Sequence, residues 1–418
     1  MATIINLLNT TQIAALTTAQ IAALTTEDWR TFSTDQIVAL TTAQVPAMGT
    51  RAVSVLTSDQ LNALESADLR ALSTAAIRAL SSAQLAALGA DQLDKLTTAQ
   101  TVALSSAQIA SLGSADLAAL STTQMAALST AQVAALTTAQ LTSLDAAKLN
   151  ALGTAQFAAI SSKQVVALNS AQLEALESAD LRALSTAAVK ALTGAQLAAL
   201  GSNQLDQLTT AQVAALTTAQ LAGLGSDNLN ALGTAQFAAL TSAQAAGLSA
   251  ASLGSLASDD LRALSTAVVK ALTTAQLAGL DSADVAALTT AQLAALGSAQ
   301  MAAFDSAELG ALGSAQVKAL STAALAAIGT AALGGLDSAD LAALTTAQVA
   351  ALTTAQLTSL DAAKLNALGT AQFAAISSKQ VVALNSAQLE ALESADLRAL
   401  STAAVKALTG AQLAALGS

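Results

Sequence analysis

The sequence predicts an all-α solenoid, or superhelix, of short capped helices, with one helix of about two turns in each eight-residue repeat. Three observations predict this fold: an unbroken period of eight, helix-capping residues at fixed positions within it, and two large apolar residues three positions apart. A fixed short period is typical of arrays in which each unit packs only on its neighbours. The expected fold is therefore a repeat array and not a globular domain.

The period of eight runs through the whole chain without an inserted or deleted residue. Every eighth residue from Leu8 to Leu416 is leucine or a close substitute. The substitutes are Phe32, Met48, Ile160, Phe304, Ile328 and Ile376. We number each octad so that this residue is position 8; residues 209–216, TTAQVAAL, are a typical unit.

Positions 1 and 4 carry the signal for a helix start. Position 1 is nearly always Thr, Ser, Gly, Asp or Asn, the residues preferred at a helix N-cap. Position 4 is most often Gln, and a Ser or Thr followed three residues later by Gln is a capping box. In an alternative register position 2 is the cap, and Gly or Asn at position 1 closes the preceding helix. We expect individual units to mix both registers.

Positions 5 and 8 carry the large apolar side chains, as at Ile13 and Leu16. Residues three apart share one face of a helix, so this face is expected to be buried. Alanine at positions 3, 6 and 7 favours helix and lets neighbouring segments approach closely. Position 6 holds 10 of the 16 basic residues and also some acids, which indicates that it faces solvent.

A single continuous helix is the competing interpretation, but it fits the period poorly. An octad spread over two turns makes the apolar stripe drift by about 40° per turn around a straight helix. Isolated two-turn helices are marginal in water, so we expect the chain to wind and stack its helices on one another. Between Leu173 and Phe237, the residues at position 5 recur largely as Leu, Leu and then Val or Phe, a period of 24 residues. This period suggests three helices per superhelical turn.

The first part of the chain is less regular than the rest. Residues 1–56 contain Trp29 and Pro46, and Ala52 replaces the expected polar residue at position 4. Proline inside a helix removes a backbone donor and favours a kink. We interpret residues 1–56 as irregular repeats that are a candidate N-terminal cap, and residues 57–418 as one continuous regular array.

The composition argues against several classes of function. The chain has no His, Cys or Tyr, which removes the usual nucleophiles, bases and soft metal ligands, so we predict that it is not an enzyme. A net charge of −11 disfavours nucleic acid as a partner. Polar residues recur in every octad, so no membrane span is expected, and residues 1–8 do not resemble a secretory signal peptide.

Several residue groups are compatible with a binding site, but a structural role explains each of them. The pairs Asp281/Asp284 and Asp337/Asp340 resemble calcium ligands, yet they occupy the two positions of the capping box. Met125 and Met301 lie at position 5 and are expected in the core. Four basic pairs one octad apart are expected on a solvated face: Arg70/Arg78, Arg182/Lys190, Arg262/Lys270 and Arg398/Lys406. We predict no catalytic, cofactor or metal site.

Two resemblances bear on function. A segment such as residues 16–21, LTTAQI, resembles the opening helix of repeats in transcription activator-like effectors. The base-reading loop and the second helix of those repeats are missing here. Residues 343–356, ALTTAQVAALTTAQ, resemble repeat regions of very large bacterial surface or secreted proteins, often labelled haem-utilisation or adhesion proteins. This resemblance implies an extracellular, adhesin-like or matrix role. The chain has no His or Tyr to bind haem iron, so its residues do not support the haem label.

We therefore expect a structural repeat protein, a stalk, spacer or fibre component of a bacterial surface or extracellular assembly. The alternative is a binding module whose repeated Thr/Ala face holds a surface, a protein partner or ice. Residues 130–202 are repeated exactly as residues 346–418. Duplication of whole octads is readily accommodated when each octad contacts only its neighbours. Self-association, end to end or side by side, is expected of such an array.

Overall fold

The structure is a computed structural model that describes residues 4–416. Across these residues it contains fifty short α-helices, two 3₁₀ helices and no β-strand, so the predicted all-α fold is confirmed. The chain divides into two compact units, residues 1–215 and 216–418, and each is an α-solenoid. Each octad forms one helix.

The first unit contains the 3₁₀ helices Ile5–Leu7 and Val45–Met48 and the first twenty-five α-helices. These are α1 Thr10–Ala14, α2 Thr18–Ala23, α3 Thr26–Thr31, α4 Thr34–Val38, α5 Gly49–Val53, α6 Ser58–Asn62, α7 Ser66–Ala71, α8 Thr74–Ala79, α9 Ser82–Ala87, α10 Gly89–Leu93, α11 Thr98–Ala103, α12 Ser106–Ser111, α13 Ser114–Ala119, α14 Thr122–Ala127, α15 Thr130–Ala134, α16 Thr138–Thr142, α17 Ala146–Asn150, α18 Thr154–Ala158, α19 Ser162–Ala167, α20 Ser170–Glu174, α21 Ser178–Ala183, α22 Thr186–Ala191, α23 Gly194–Ala198, α24 Ser202–Leu205 and α25 Thr210–Ala215.

The second unit contains the remaining α-helices. These are α26 Thr218–Ala222, α27 Gly225–Leu229, α28 Thr234–Ala238, α29 Ser242–Ala246, α30 Ala250–Gly254, α31 Ser258–Ala263, α32 Thr266–Ala271, α33 Thr274–Leu277, α34 Ser282–Ala287, α35 Thr290–Ala295, α36 Ser298–Met301, α37 Ser306–Gly310, α38 Ser314–Ala319, α39 Thr322–Ala327, α40 Thr330–Leu333, α41 Ser338–Ala343, α42 Thr346–Ala351, α43 Thr354–Ser359, α44 Ala362–Asn366, α45 Thr370–Phe373, α46 Ser378–Ala383, α47 Ser386–Glu390, α48 Ser394–Ala399, α49 Thr402–Ala407 and α50 Gly410–Ala415.

Most helices start at the predicted N-cap, position 1. Thr137 illustrates the arrangement: its backbone is extended (φ −74°, ψ 158°), and its hydroxyl accepts a hydrogen bond from the backbone N–H of Gln140 at 3.2 Å. The leucine at position 8 is often extended as well, as at Leu72 (φ −58°, ψ 137°). Two extended residues in succession interrupt the helical dihedral angles, so the helix cannot continue into the next octad.

Three junctions differ from the others. Gly49, Gly89 and Gly225 have φ values of 66°, 66° and 74°, a conformation that favours glycine, and each is the first residue of a helix without a side-chain cap. The other position-1 glycines have negative φ; Gly153, with φ −89°, is an extended N-cap. Position 2 is thus not the cap at these junctions, and position 1 is the cap in the large majority of the described octads.

Positions 5 and 8 form the core, as predicted. In a typical octad, Val213 is fully buried and Leu216 is 4% exposed. Positions 1, 2, 3 and 6 are mostly exposed, and position 7 is mostly half-buried. The core is therefore a narrow strip of Leu, Val, Ile and Phe side chains that follows the winding of the chain.

Within each unit, a helix packs on the helix three octads farther along. The pairs α19 with α22 in the first unit and α46 with α49 in the second are examples. Side-chain hydrogen bonds between stacked segments join residues 25 to 31 apart, so one superhelical turn, which we call a coil, takes between three and four octads and contains three full helices. The predicted three helices per turn are confirmed.

The irregular octads near Pro46 differ locally from this pattern. Pro46 lies in the 3₁₀ helix Val45–Met48, where the missing backbone donor is tolerated. Trp29 and Phe32 are buried and stack on each other with ring centroids 4.7 Å apart. The boundary after residue 56 and the role of residues 1–56 as a cap stay predictions.

The exact duplication provides a matched measurement of what stacking contributes. Val189 and Val405 occupy the same place in identical sequences, but Val189 is fully buried, with α22 packed on α25, and Val405 is 44% exposed. We expect Val189→Ala to lower the free energy of unfolding by about 2 kcal/mol, because two buried methyl groups are lost and a cavity remains.

Val405→Ala should change the free energy of unfolding by less than about 1 kcal/mol, since this side chain already contacts solvent. Urea denaturation followed by circular dichroism measures both variants. Equal destabilisation by the two substitutions would contradict the stacking of α25 on α22.

Candidate functional site: the glutamine clamp between coils

The most frequent buried polar residue is the glutamine at position 4, the third residue of its helix. Gln140, Gln212 and Gln292 are each 1% exposed. A primary amide has two N–H donors and a carbonyl acceptor, and burying it without partners is costly. The partners of these amides therefore show what position 4 contributes to the fold.

Gln292 shows the arrangement. Its Oε1 accepts a hydrogen bond of 2.8 Å from the backbone N–H of Thr289, its own N-cap residue. Its Nε2 donates to the carbonyl oxygens of Leu261 and Leu264, both at 2.8 Å, which lie at the end of a helix in the preceding coil. We call this pair of interactions the glutamine clamp.

The clamp solves a problem that short helices create. The last carbonyl groups of a helix have no partner within it, and a chain of two-turn helices has such groups in every octad. The clamp supplies a donor to the carbonyls of positions 5 and 8, which are 31 and 28 residues earlier in sequence. Each clamp glutamine thus caps the start of one helix and the end of another.

Lysine replaces glutamine as the donor at two position-4 sites. The Nζ of Lys148 donates to the carbonyl of Ala118, and Lys364 donates to the carbonyl of Gly334. Each lysine lies 30 residues after its acceptor. A full positive charge is therefore compatible with the carbonyl cluster at the end of a helix, because the helix macrodipole makes that end electronegative.

Nine position-4 sites carry an acid instead. Seven of these acids are buried and at most 8% exposed. The buried ones are Asp68, Asp180, Asp260, Asp284, Asp340, Asp396 and Glu308. An ionised carboxylate can cap its own helix, but it has no hydrogen to donate to the carbonyls of the preceding coil.

Burial raises the pKa of these carboxyls. For Asp180, burial and then the neighbouring Glu177 carboxylate raise the pKa to about 6. For Asp68, burial and the nearby Glu65 raise the pKa, while a hydrogen bond with Thr42 opposes the rise. Asp68 Oδ1 is also buried without a hydrogen-bond partner among the described residues. When ionised, these carboxyls leave the clamp without its donor.

The acidic pairs considered as calcium ligands are capping boxes. Asp281 Oδ1 accepts a 2.9 Å hydrogen bond from the Asp284 backbone N–H, and Asp284 Oδ2 accepts from the Asp281 N–H at 3.2 Å. Asp337 and Asp340 form the same pair of bonds. In the part of the chain that the structure describes, no cluster of three or more His, Cys, Asp or Glu residues is arranged to hold a metal ion.

The other singled-out residues lie where the period places them. Met125 and Met301 are fully buried in the core, as predicted. The eight residues of the four basic pairs are all exposed at position 6. Among residues 4–416, no helix has the length and apolar character needed to cross a membrane.

The cap at position 4 was predicted from the sequence, but the second half of the clamp was not. The position-4 glutamine was interpreted as a capping residue, and its burial was not predicted. A signal was available: a capping box accepts Gln or Glu equally, yet this chain uses Gln far more often and Glu at position 4 only at Glu308. Only the amide offers the additional N–H donors.

Comparison with known protein families agrees with this repeat. The ALTTAQ repeat model matches thirteen segments that together cover most of the chain. The segments are 31–64, 61–98, 109–146, 144–176, 173–210, 202–234, 213–250, 253–290, 277–314, 301–339, 333–370, 359–392 and 389–418. No curated protein matches the chain. The final Q of the ALTTAQ motif is the clamp glutamine. The chain belongs to the ALTTAQ repeat family.

Proposed function

We propose that this chain is a structural element, a stalk, spacer or fibre component of a bacterial extracellular or surface assembly. The repetition of one interface carries the proposal: the same clamp and the same apolar contacts join successive coils in both units. Such an array extends a structure by adding identical layers, and this is the task of a spacer. The absence of His, Cys and Tyr from the sequence supports a role without catalysis.

We further propose that copies of the chain associate through the surface that stacks coils within one molecule. Val405 and Leu413 are 44% and 53% exposed, whereas their duplicates Val189 and Leu197 are fully buried. A second copy that continued the stack would bury these two side chains in the same way. This is a head-to-tail contact, which forms filaments when the rotation does not close.

Electron microscopy and analytical ultracentrifugation over a range of concentrations test this proposal. We expect assemblies that lengthen as the concentration rises. The double variant Val405→Asp, Leu413→Asp should shorten them, because it introduces charges into the apolar contact. Val38→Asp is the matched control, since Val38 is 48% exposed at position 6, away from the stacking strip.

Two results would overturn parts of the proposal. A single species at every concentration, unchanged by the double variant, would eliminate self-association and leave a spacer that acts as one chain. Saturable binding of a surface, protein or ice by that single species would favour the binding module, with the exposed Thr and Ala side chains of positions 1 to 3 as the contact surface.

A further inference from the structure

In most octads, position 4 supplies a donor to the carbonyl groups at the end of a helix in the preceding coil. Glutamine donates through Nε2, and Lys148 and Lys364 donate through Nζ. At the seven buried acidic sites, the only hydrogen that the side chain can offer is its own acidic proton. The protonation state of these carboxyls therefore determines whether a clamp exists there.

Glu308 is the clearest case, because glutamate has the same length as glutamine. Its Oε2 accepts a 2.8 Å hydrogen bond from the Asp305 backbone N–H, as the Oε1 of a clamp glutamine does. In the clamp register, the side chain at position 4 serves the carbonyls 28 and 31 residues earlier, which for Glu308 are those of Leu280 and Leu277. From this register we infer that the second carboxylate oxygen of Glu308 stands where Nε2 stands in a clamp glutamine. An ionised Glu308 then sets two electronegative groups against each other.

We propose that protonation of the buried position-4 carboxyls tightens the stacking of coils, so that the solenoid is held more firmly in mildly acidic solution. Protonated Glu308 donates a hydrogen bond to the carbonyls of the preceding coil and restores a complete clamp. The shorter aspartates, such as Asp180, lose a buried negative charge beside those carbonyls. No further group has to move in either case.

Among residues 4–416, no cation forms an ion pair with Glu308. Helix α34, packed on one side, contributes Asp284 and its N-cap Asp281, and α40 on the other side and α33 carry no charged residue. The N-cap of its own helix is Asp305. Burial, and then the Asp305 carboxylate, raise the pKa of Glu308, while the hydrogen bond from the Asp305 backbone lowers it. The acids around it reinforce protonation.

The groups around Asp180 also favour its protonated form. The packed helices α18 and α24 carry no titratable residue, although Asp206 directly follows α24. Lys148 of α17 is engaged with the preceding coil. On its own helix, Arg182 is exposed, and Glu177 opposes ionisation.

The sign of the pH dependence follows from these pKa shifts. The pKa of Asp180 is about 6 in the folded chain against 3.8 for an ordinary aspartate, so between these values the folded state holds a proton that the unfolded state has released. The stabilisation is complete below the unfolded value and is lost as the pH rises through the folded one. The midpoint of urea unfolding should therefore be higher at about pH 5 than at about pH 7.5.

Two charge-matched variants of the full chain test the proposal. The first replaces the seven buried acids by their amides (Asp→Asn, and Glu308→Gln). The second replaces seven exposed acids by their amides and has the same net charge. Its positions are Asp35, Asp59, Asp91, Glu174, Asp206, Asp227 and Glu390. Urea midpoints are measured for both variants and the unmodified chain at the two pH values.

We expect the first variant to lose most of the pH dependence and to exceed the unmodified chain in midpoint at about pH 7.5. The second should keep most of it, since general charge repulsion is altered equally in both. Equal pH dependence in the two variants would overturn the proposal, and so would a lower midpoint at about pH 5 in the unmodified chain. The single variant Glu308→Gln should shift in the direction of the first and gives a test with minimal risk of misfolding.

Discussion

Gln212→Met should lower the free energy of unfolding by roughly 3–5 kcal/mol, because it removes one complete clamp and leaves a side chain of similar volume. Gln212 is 1% exposed, and its Nε2 donates to the carbonyls of Leu181 and Leu184 at 2.9 and 2.8 Å. Its Oε1 accepts from the backbone N–H of Thr209 at 2.8 Å. The Thr209 N–H and the Leu184 carbonyl lose their partner, whereas the Leu181 carbonyl keeps a 3.3 Å hydrogen bond from the Leu184 N–H. Each buried unsatisfied group costs about 1–3 kcal/mol.

Gln20→Met is the matched control for this variant. Gln20 Oε1 also accepts a 2.8 Å hydrogen bond from the backbone N–H of its N-cap residue, Thr17. Gln20 is exposed, however, so water can replace its hydrogen bonds. We expect a loss of about 1 kcal/mol, that of an ordinary helix cap. Urea denaturation measures both. If Gln212→Met cost no more than Gln20→Met, position 4 would be only a cap and the clamp would contribute nothing to stacking.

Gly335→Ala should lower the free energy of unfolding by about 3 kcal/mol, because the backbones of two coils touch at this residue. An added Cβ would overlap the carbonyl group of Ser306, whose carbon would be 2.8 Å away. The obstructing atoms belong to the backbone, so no side chain can rotate to relieve the overlap, and α37 and α40 would have to separate.

Gly194→Ala provides the comparison. Gly194 is the first residue of α23, and a Cβ placed there would meet no atom within 4 Å. Alanine favours helix over glycine by up to about 1 kcal/mol, so this variant should be neutral or slightly more stable. Differential scanning calorimetry of both variants distinguishes the effects. A neutral Gly335→Ala would show that the coils are not in backbone contact at this position.

Much of the clamp was within reach of sequence reasoning, because its first half is local. The box at Asp281 and Asp284 joins residues three apart, and helix geometry brings such residues together wherever the helix lies. The second half is not local: Gln292 reaches Leu264, 28 residues earlier. The distance between these two in space depends on how the chain winds, and a regular repeat is compatible with several windings.

The sequence by itself determined the period, the helix starts and the apolar strip, since each follows from residues within one octad. The tertiary structure alone decided how many octads complete a coil and which groups meet between coils. It turned the same position 4 into a satisfied amide at Gln212, a bound ammonium at Lys148 and a buried carboxyl at Asp180. The physical reason is that burial and partner carbonyls come from the neighbouring coil, whose register is set by the packing of the whole stack.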